Sequence, residues 1–131
     1  MGTRADLAEA IENQLIAEAI DGVVVYDNPA DVAVIPAVVI DAANPYIAIA
    51  TFGGTEPGAV VWRFAVHLVA VRTDVRSAFD LIEALRAAVV VAAGSIGATP
   101  GELTKPETFT VNEQPTLQAD LEVDFMTTNQ T

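Results

Sequence analysis

The pattern of apolar and polar residues along this chain predicts several strands, among them a long one in VVWRFAVHLVAVR, residues 60–72. Because successive side chains of a strand point to opposite faces, one face would carry Trp62, Phe64, Val66, Leu68 and Ala70. The second face would carry Val61, Arg63, Ala65, His67, Val69 and Val71. Both faces are largely apolar, although a strand in a small domain usually shows one face to water. The pattern therefore raises the question of what covers the second face.

Two other stretches have the period of a helix. Leu7, Ile11, Leu15 and Ala19 recur every four residues, which predicts an amphipathic helix that begins at Thr3 and ends near Gly22. Residues 73–94 predict a second helix, with Thr73 or Asp74 as the N-cap and Gly94 as the stop. Its core face would carry Ala78, Leu81, Ile82, Leu85, Ala88, Val89 and Ala92. Its last turns, with Val90 and Val91, are apolar nearly all round, so this end is either deeply buried or in contact with another chain.

The remaining stretches predict shorter strands and their connections. Asp27, Asn28 and Pro29 indicate a turn, and a strand around residues 38–40 should start near Pro36 or lie on an edge, because proline donates no ladder hydrogen bond. The sequence DAANP, residues 41–45, predicts a break before a further strand. Residues 95–106 are rich in turn formers and predict a long surface loop, and residues 107–111 predict a short strand.

The last strand has the most regular alternation in the chain, in TLQADLEVDF, residues 116–125. Its apolar residues are Leu117, Ala119, Leu121, Val123 and Phe125, and between them stand Gln118, Asp120, Glu122 and Asp124. Because neighbouring carboxylates on one face repel, the row of Asp120, Glu122 and Asp124 should face water, a solvent-filled space or a basic partner surface. Together these elements predict an α+β fold, a mixed or antiparallel sheet packed against two helices, in a single domain over residues 1–131.

Composition and charge narrow the class of protein. The chain has 18 acidic and 6 basic residues, a net charge of −12, which disfavours nonspecific binding to nucleic-acid phosphates. Four basic residues, Arg63, Arg72, Arg76 and Arg86, lie within residues 62–86. They either form local pairs on an acidic surface or meet an acidic patch on a neighbouring copy. The longest apolar run, residues 87–94, is too short to cross a bilayer, and residues 1–15 are interrupted by acids where a signal peptide needs an apolar segment.

Candidate chemistry is sparse in this sequence. His67 is the sole histidine and there is no cysteine, so the chain lacks a Cys/His nucleophilic pair and a typical zinc site. Ser77 and Ser95 do not lie in a Gly-x-Ser-x-Gly elbow. The glycines of residues 94–101 lack the lysine and hydroxyl of a phosphate-binding loop. Spacing alone does not make Asp120 and Glu122 an acid/base pair. We therefore expect no catalytic, cofactor or metal site.

Three stretches carry a resemblance to a known family. They are LAEAIENQLIAEAI near the N-terminus, WRFAVHLVAVRTD running directly into SAFDLIEALRAAV, and the closing ETFTVNEQPTLQADLEVDF. In this order, in an acidic and cysteine-free chain of this length, they resemble the tail terminator proteins of long-tailed, siphovirus-type bacteriophages, especially those of actinobacterial phages.

The resemblance implies a structural virion protein without catalysis, cofactor or metal. Family members form a hexameric ring that stops tail-tube polymerisation and offers a surface for joining the head. The partners implied are further copies of the chain, the tail tube protein and a head-completion or connector protein, with no sequence-specific nucleic-acid binding and no membrane. The protein would be assembled in the host cytoplasm and reside at the head–tail junction of the virion.

The ring also gives the second strand face an expected cover, which is the neighbouring subunit. The residues expected at this subunit interface are Val61, Arg63, His67, Val69, Val71, Arg72, Val90 and Val91. Arg63 and Arg72 would pair with acids across the seam. The acidic row of Asp120, Glu122 and Asp124 would face the lumen, where it lets DNA pass without sticking, or the outer rim.

Other functions remain open at this point. A head-tail completion protein or the tail tube subunit itself would share the same composition, and a tube subunit should form filaments where a terminator stops at a closed ring. A small α+β ligand-binding domain or enzyme with a carboxylate pocket is the alternative from a different class. The loops at residues 52–58 and 95–106 are the ones expected to become ordered on contact with the tube or the head.

Overall fold

A computed structural model describes residues 3–20, 22–27, 36–49, 59–71, 75–111 and 113–128. Its elements, in chain order, are α1 (Thr3–Ala17), β1 (Val24–Tyr26), β2 (Ala37–Ile49), β3 (Ala59–Val71), α2 (Val75–Ser95), β4 (Thr99–Leu103), β5 (Glu107–Val111) and β6 (Gln114–Thr128). Within these ranges, no helix is long and apolar enough to span a membrane.

All six strands form one sheet in the order β1, β2, β3, β6, with β4 and β5 both lying along the far side of β6. β1 runs parallel to β2, and every other pair is antiparallel. β3 is paired with β6 over its full described length, from Ala59 opposite Thr128 to Val71 opposite Thr116. The sheet is therefore mixed and packs against two helices, which confirms the predicted α+β class.

Both helices lie on one side of this sheet and form its core. The β3 residues Phe64, Val66, Leu68 and Ala70 are fully buried, as predicted for the first face of this strand. The predicted helix stripes meet them: Leu7, Ile11 and Leu15 of α1, and Ala78, Ile82, Leu85, Ala88, Val89 and Ala92 of α2 are buried in the same cluster. Leu81 and Trp62 pack partly buried at its margin. Burial of this apolar surface stabilises the two-layer arrangement.

The helix ends differ from the sequence-based expectation. The last residue of α1 is Ala17 rather than one near Gly22, and the chain leaves α1 through Ala19, which has a φ of 56°. The amide of Ile20 donates to the carbonyl of Leu15 and that of Ala19 to Ile16, the two bonds of a Schellman cap. α2 ends at Ser95, and Gly97, with a φ of 80°, fills the same cap position there instead of Gly94.

Two predicted connections prove to be strands. The expected break at residues 41–45 lies inside β2, where the register with β3 shifts between Ala42 and Ile47, so a bulge absorbs the irregular sequence without ending the strand. The expected loop at residues 95–106 contains β4, whose own register shifts between Pro100 and Leu103. Pro100 is tolerated because β4 is at the sheet edge. β2 begins at Ala37, directly after Pro36, as predicted.

Several predictions fall outside the described residues. These are the interface residue Arg72, the helix caps Thr73 and Asp74, the turn residues Asn28 and Pro29, and the loop at residues 52–58.

Candidate functional site: the open face of the sheet

The face of the sheet opposite the helices, here called the open face, brings together most of the residues predicted to be functional. It carries Val61, Arg63, Ala65, His67, Val69 and Val71 of β3, the second face of that strand. The antiparallel register places Asp120 opposite His67, Glu122 opposite Ala65 and Asp124 opposite Arg63. Directly opposed residues project from the same face of a sheet. The predicted interface residues of β3 and the predicted acidic row therefore belong to one surface.

His67 lies between two carboxylates on the two neighbouring strands. Its Nδ1 is 2.5 Å from Oδ1 of Asp120 on β6, and its Nε2 is 3.1 Å from Oδ2 of Asp41 on β2. A carboxylate only accepts hydrogen bonds, so both contacts are satisfied together only when both ring nitrogens carry a proton. The imidazolium then donates to both carboxylates and links three strands across the open face.

Neighbouring groups hold Asp120 in place. The Gln118 side-chain amide donates to Oδ1 of Asp120 at 3.4 Å. The backbone amide of Asp120 donates to the hydroxyl of Thr104 at 2.9 Å, and the amide of Thr104 donates to the Asp120 carbonyl at 2.9 Å. These two reciprocal hydrogen bonds fix the segment that follows β4 against β6. The backbone of Asp120 is therefore held by Thr104 on one side and by β3 on the other.

Arg63 forms the second charged group of the open face. Its Nη2 is 3.8 Å from Oε2 of Glu122, and its Nε is 3.6 Å from Oδ1 of Asp124. The Arg63 Nε and the Asp124 Oδ1 are both buried, and neither has a hydrogen-bond partner among the described residues, since 3.6 Å is too long for a hydrogen bond. The Arg63 guanidinium is thus the nearest positive charge to the Asp124 carboxylate. Removing either side chain would leave the other charge partly buried without a partner, which is costly.

The pKa of His67 is raised above its ordinary value of 6.5. Burial is the largest influence and acts in the opposite direction, because desolvation disfavours the charged ring. Hydrogen bonds to Asp120 and then Asp41, with the attraction of both negative charges, outweigh it. The two carboxylates therefore keep the ring protonated to a higher pH than in an unfolded chain.

The apolar residues predicted for a subunit interface differ in exposure. Val61 and Val71, which lie near the two ends of β3 on the open face, are half-buried. Val69 is only 5% exposed in the chain itself, so little of it is left for a partner to cover. On α2, Val90 packs partly buried against the core, whereas Val91 is 52% exposed.

A concavity of about 530 Å³ lies beside the acidic row, between β6 and the β4 edge. Gly101 makes room for Glu122 there, since a Cβ on Gly101 would lie 3.2 Å from Oε1 of that residue. The rim is acidic, with Glu102, Asp120 and Glu122. Across the described ranges, no group of three histidine, aspartate or glutamate side chains is arranged to hold a metal ion.

Sequence reasoning missed the role of Asp41, Gln118 and Thr104. Asp41 was assigned to a break in the chain, and only the continuation of β2 through that stretch puts its carboxylate beside His67. The alternating pattern of residues 116–125 was the one signal that placed Gln118 on the same face as the acids. Nothing in the sequence indicates that Thr104 binds the backbone of Asp120.

Comparison with known proteins adds no family to these observations. No protein-family model matches the sequence, and a search of curated proteins finds no significant match.

Proposed function

We propose that this chain is a structural virion protein that caps the growing tail tube of a long-tailed bacteriophage as a ring. In this role it ends tail polymerisation and provides the surface on which head and tail are joined. The proposal starts from the resemblance of the three sequence stretches described above. It gains support from the α+β fold, which is the fold that the resemblance implies, and from the character of the open face.

The observation that carries the proposal is the internal pairing of charges on the open face. Arg63 is matched by Glu122 and Asp124, and His67 by Asp41 and Asp120, all within one chain. Burying an unpaired charge in an interface is costly, whereas charges that already have partners can be covered at a smaller cost. A sheet face with half-buried valines at both ends and compensated charges between them suits contact with another protein.

The same pairing favours a subunit contact over a lumen lining for the acidic row. A lining that repels DNA needs carboxylates without nearby cations. Each acid of the row instead has one within 4 Å: Asp120 faces His67 at 2.5 Å, and Glu122 and Asp124 face Arg63 at 3.8 Å and 3.6 Å. We therefore assign the open face to the seam between neighbouring subunits. Because Arg63 has partners in its own chain, the seam does not depend on Arg63 pairing across it.

Tail length is the direct test of this function. The gene is removed from the phage or prophage that encodes it, and tails are measured by electron microscopy. The proposal predicts tails of uncontrolled, excessive length that lack heads, with normal length restored when the parent chain is supplied from a plasmid. Tails of normal length joined to heads would contradict it. Absence of any tail tube would instead identify the chain as the tube subunit.

A further inference from the structure

We propose that His67 is a proton-operated clamp that ties β2 to β6 across β3 on the open face. In its doubly protonated form it holds the carboxylates of Asp41 and Asp120 together. When it loses its proton, one of the two carboxylates is released and the face gains one negative charge. This inference rests on the geometry of the chain itself and does not depend on the proposed function.

The geometry of the two contacts carries this assignment. Nδ1 faces Oδ1 of Asp120 at 2.5 Å and Nε2 faces Oδ2 of Asp41 at 3.1 Å, so the nearest partner of each ring nitrogen is a carboxylate oxygen. In the neutral ring one nitrogen has a lone pair in place of a proton. That lone pair would face a carboxylate oxygen, which is repulsive, and no rotation of the ring avoids it because both sides present carboxylates.

Gln118 does not offer the neutral ring an alternative donor of good geometry. Its side-chain nitrogen is 3.4 Å from Nδ1 of His67 and 3.4 Å from Oδ1 of Asp120. The oxygen of Asp120 lies closer to Nδ1 than the amide does, so the amide supports the carboxylate rather than the ring. Loss of the proton therefore breaks at least one of the two links.

The charges around the clamp are those of the whole open face. They are Asp41 on β2, Arg63 on β3, Asp120, Glu122 and Asp124 on β6, and Glu107, which stands opposite Gln118 on β5. Arg63 is engaged by Glu122 and Asp124. Asp41 and Asp120 are thus left to His67 as their nearest described cation, and the protonation of this ring sets whether it links the two carboxylates.

The sequence makes this clamp unusually easy to test. His67 is the sole histidine and the chain has no cysteine, so between about pH 6 and pH 9 only His67 and a terminal amino group are expected to titrate. The proton on Cε1 of His67 gives a single titrating signal in a proton NMR spectrum, without assignment by mutagenesis. Backbone amide shifts of β2 and β6 report the state of the two links in the same samples.

The experiment follows this titration in the full-length parent, in Asp41→Asn, in Asp120→Asn and in the double variant. Asp80→Asn, which removes an equal charge from the exposed side of α2, is the matched control. We expect the parent pKa to lie above 6.5, each single variant to lower it, and the double variant to bring it below 6.5, since burial then acts alone. The control should leave it unchanged. In the parent, the chemical shifts of the backbone amides of Asp41 and Asp120 should change with the same midpoint pH as the signal of the His67 ring.

Three results would overturn the clamp. One is a parent pKa at or below 6.5. Another is a His67 pKa that responds to only one of the two carboxylates, because the ring would then link two strands and not three. The third is a titration of the ring that leaves the amides of β2 or β6 unmoved. Because each replacement of aspartate by asparagine keeps the size of the side chain, proper folding is checked in the same spectra.

Discussion

At the scale of single residues, the open face is organised by two cations that each serve two acids. The sequence pattern correctly placed Arg63 and His67 on one face of β3 and the acids on one face of β6. It did not show that these faces coincide, because the pairing of β3 with β6 is set by contacts 45 or more residues apart along the chain, from Val71 opposite Thr116 outward. Asp41 was beyond reach for the same reason. The sequence therefore predicted which residues share a face of each strand, but not which residues of different strands contact each other.

His67 gives the folded state a dependence on pH whose sign is fixed by its raised pKa. The stabilisation that His67 contributes is fully present below pH 6.5, which is the ordinary pKa of the ring. It is lost as the pH rises through the higher pKa that the ring has in the folded chain. We expect urea unfolding to show a free energy that declines over this range above pH 6.5. His67→Gln should remove the decline, and a decline of equal size in this variant would contradict the assignment.

Arg63 should be coupled more strongly to Asp124 than to Glu122. Its Nε and the Asp124 Oδ1 are both buried, whereas the Glu122 side chain is 51% exposed and its pair is screened by water. Double-mutant cycles with Arg63→Gln should give a coupling of about 1 kcal/mol with Asp124→Asn. The coupling with Glu122→Gln should be smaller and more sensitive to salt. Equal couplings would contradict this order.

Among the described residues, Ala19 is the one non-glycine residue at a helix end with a positive φ. A φ of 56° is costly for a residue with a Cβ, and the Schellman cap of α1 imposes it. Ala19→Gly should raise the free energy of unfolding by about 1 kcal/mol. The matched control Ala87→Gly, at an exposed position inside α2, should lower it by about 1 kcal/mol. Loss of stability in both variants would show that Ala19 is not strained.

At the scale of elements, periodicity identified both helices, the core strands and the final strand, because burial on one face imposes a period that the sequence displays. β4 was missed, since Pro100 and Gly101 are typical of turns and the strand exists through its pairing with β6. The prediction of a break around Asn44 and Pro45 is wrong for the same reason, because β2 continues there through its pairing with β3. Local composition indicates where a chain bends, but only the neighbouring strand decides whether a bend becomes a bulge.

The open face and the exposed end of α2 offer two separate surfaces for a subunit seam, and single charges distinguish them. We expect Val71→Glu to shift the assembly toward monomers by about tenfold or more, since it places a charge in the contact proposed here. Ala5→Glu, at an exposed site of α1, adds the same charge and should have no effect. If Val91→Glu dissociates the assembly and Val71→Glu does not, the seam lies on α2 instead. Sedimentation velocity measures all three.

At the scale of the whole molecule, the chain carries a net charge of −12, and the open face of its sheet is buried within the chain at Ala37, Val39 and Val69 but only partly buried from Val61 to His67. On the open face two cations, Arg63 and His67, serve four acids, so this face keeps part of the excess negative charge, and the rest lies elsewhere on the surface, where it disfavours nonspecific contact with nucleic acid. Fold class followed from the sequence because it depends on the sum of many apolar positions. Function did not follow in the same way, since the sequence carries no motif that by itself indicates a reaction or a ligand.

The measurement that tests the central claim most directly is the solution mass of the purified chain by light scattering over a concentration series. The account predicts a discrete species of six times the 13.7 kDa chain mass, or a monomer that shifts to this species with concentration. A strict monomer at every concentration would contradict it, because the open face would then need no second copy to cover it. Filaments without a defined end would contradict it equally, since a terminator must close.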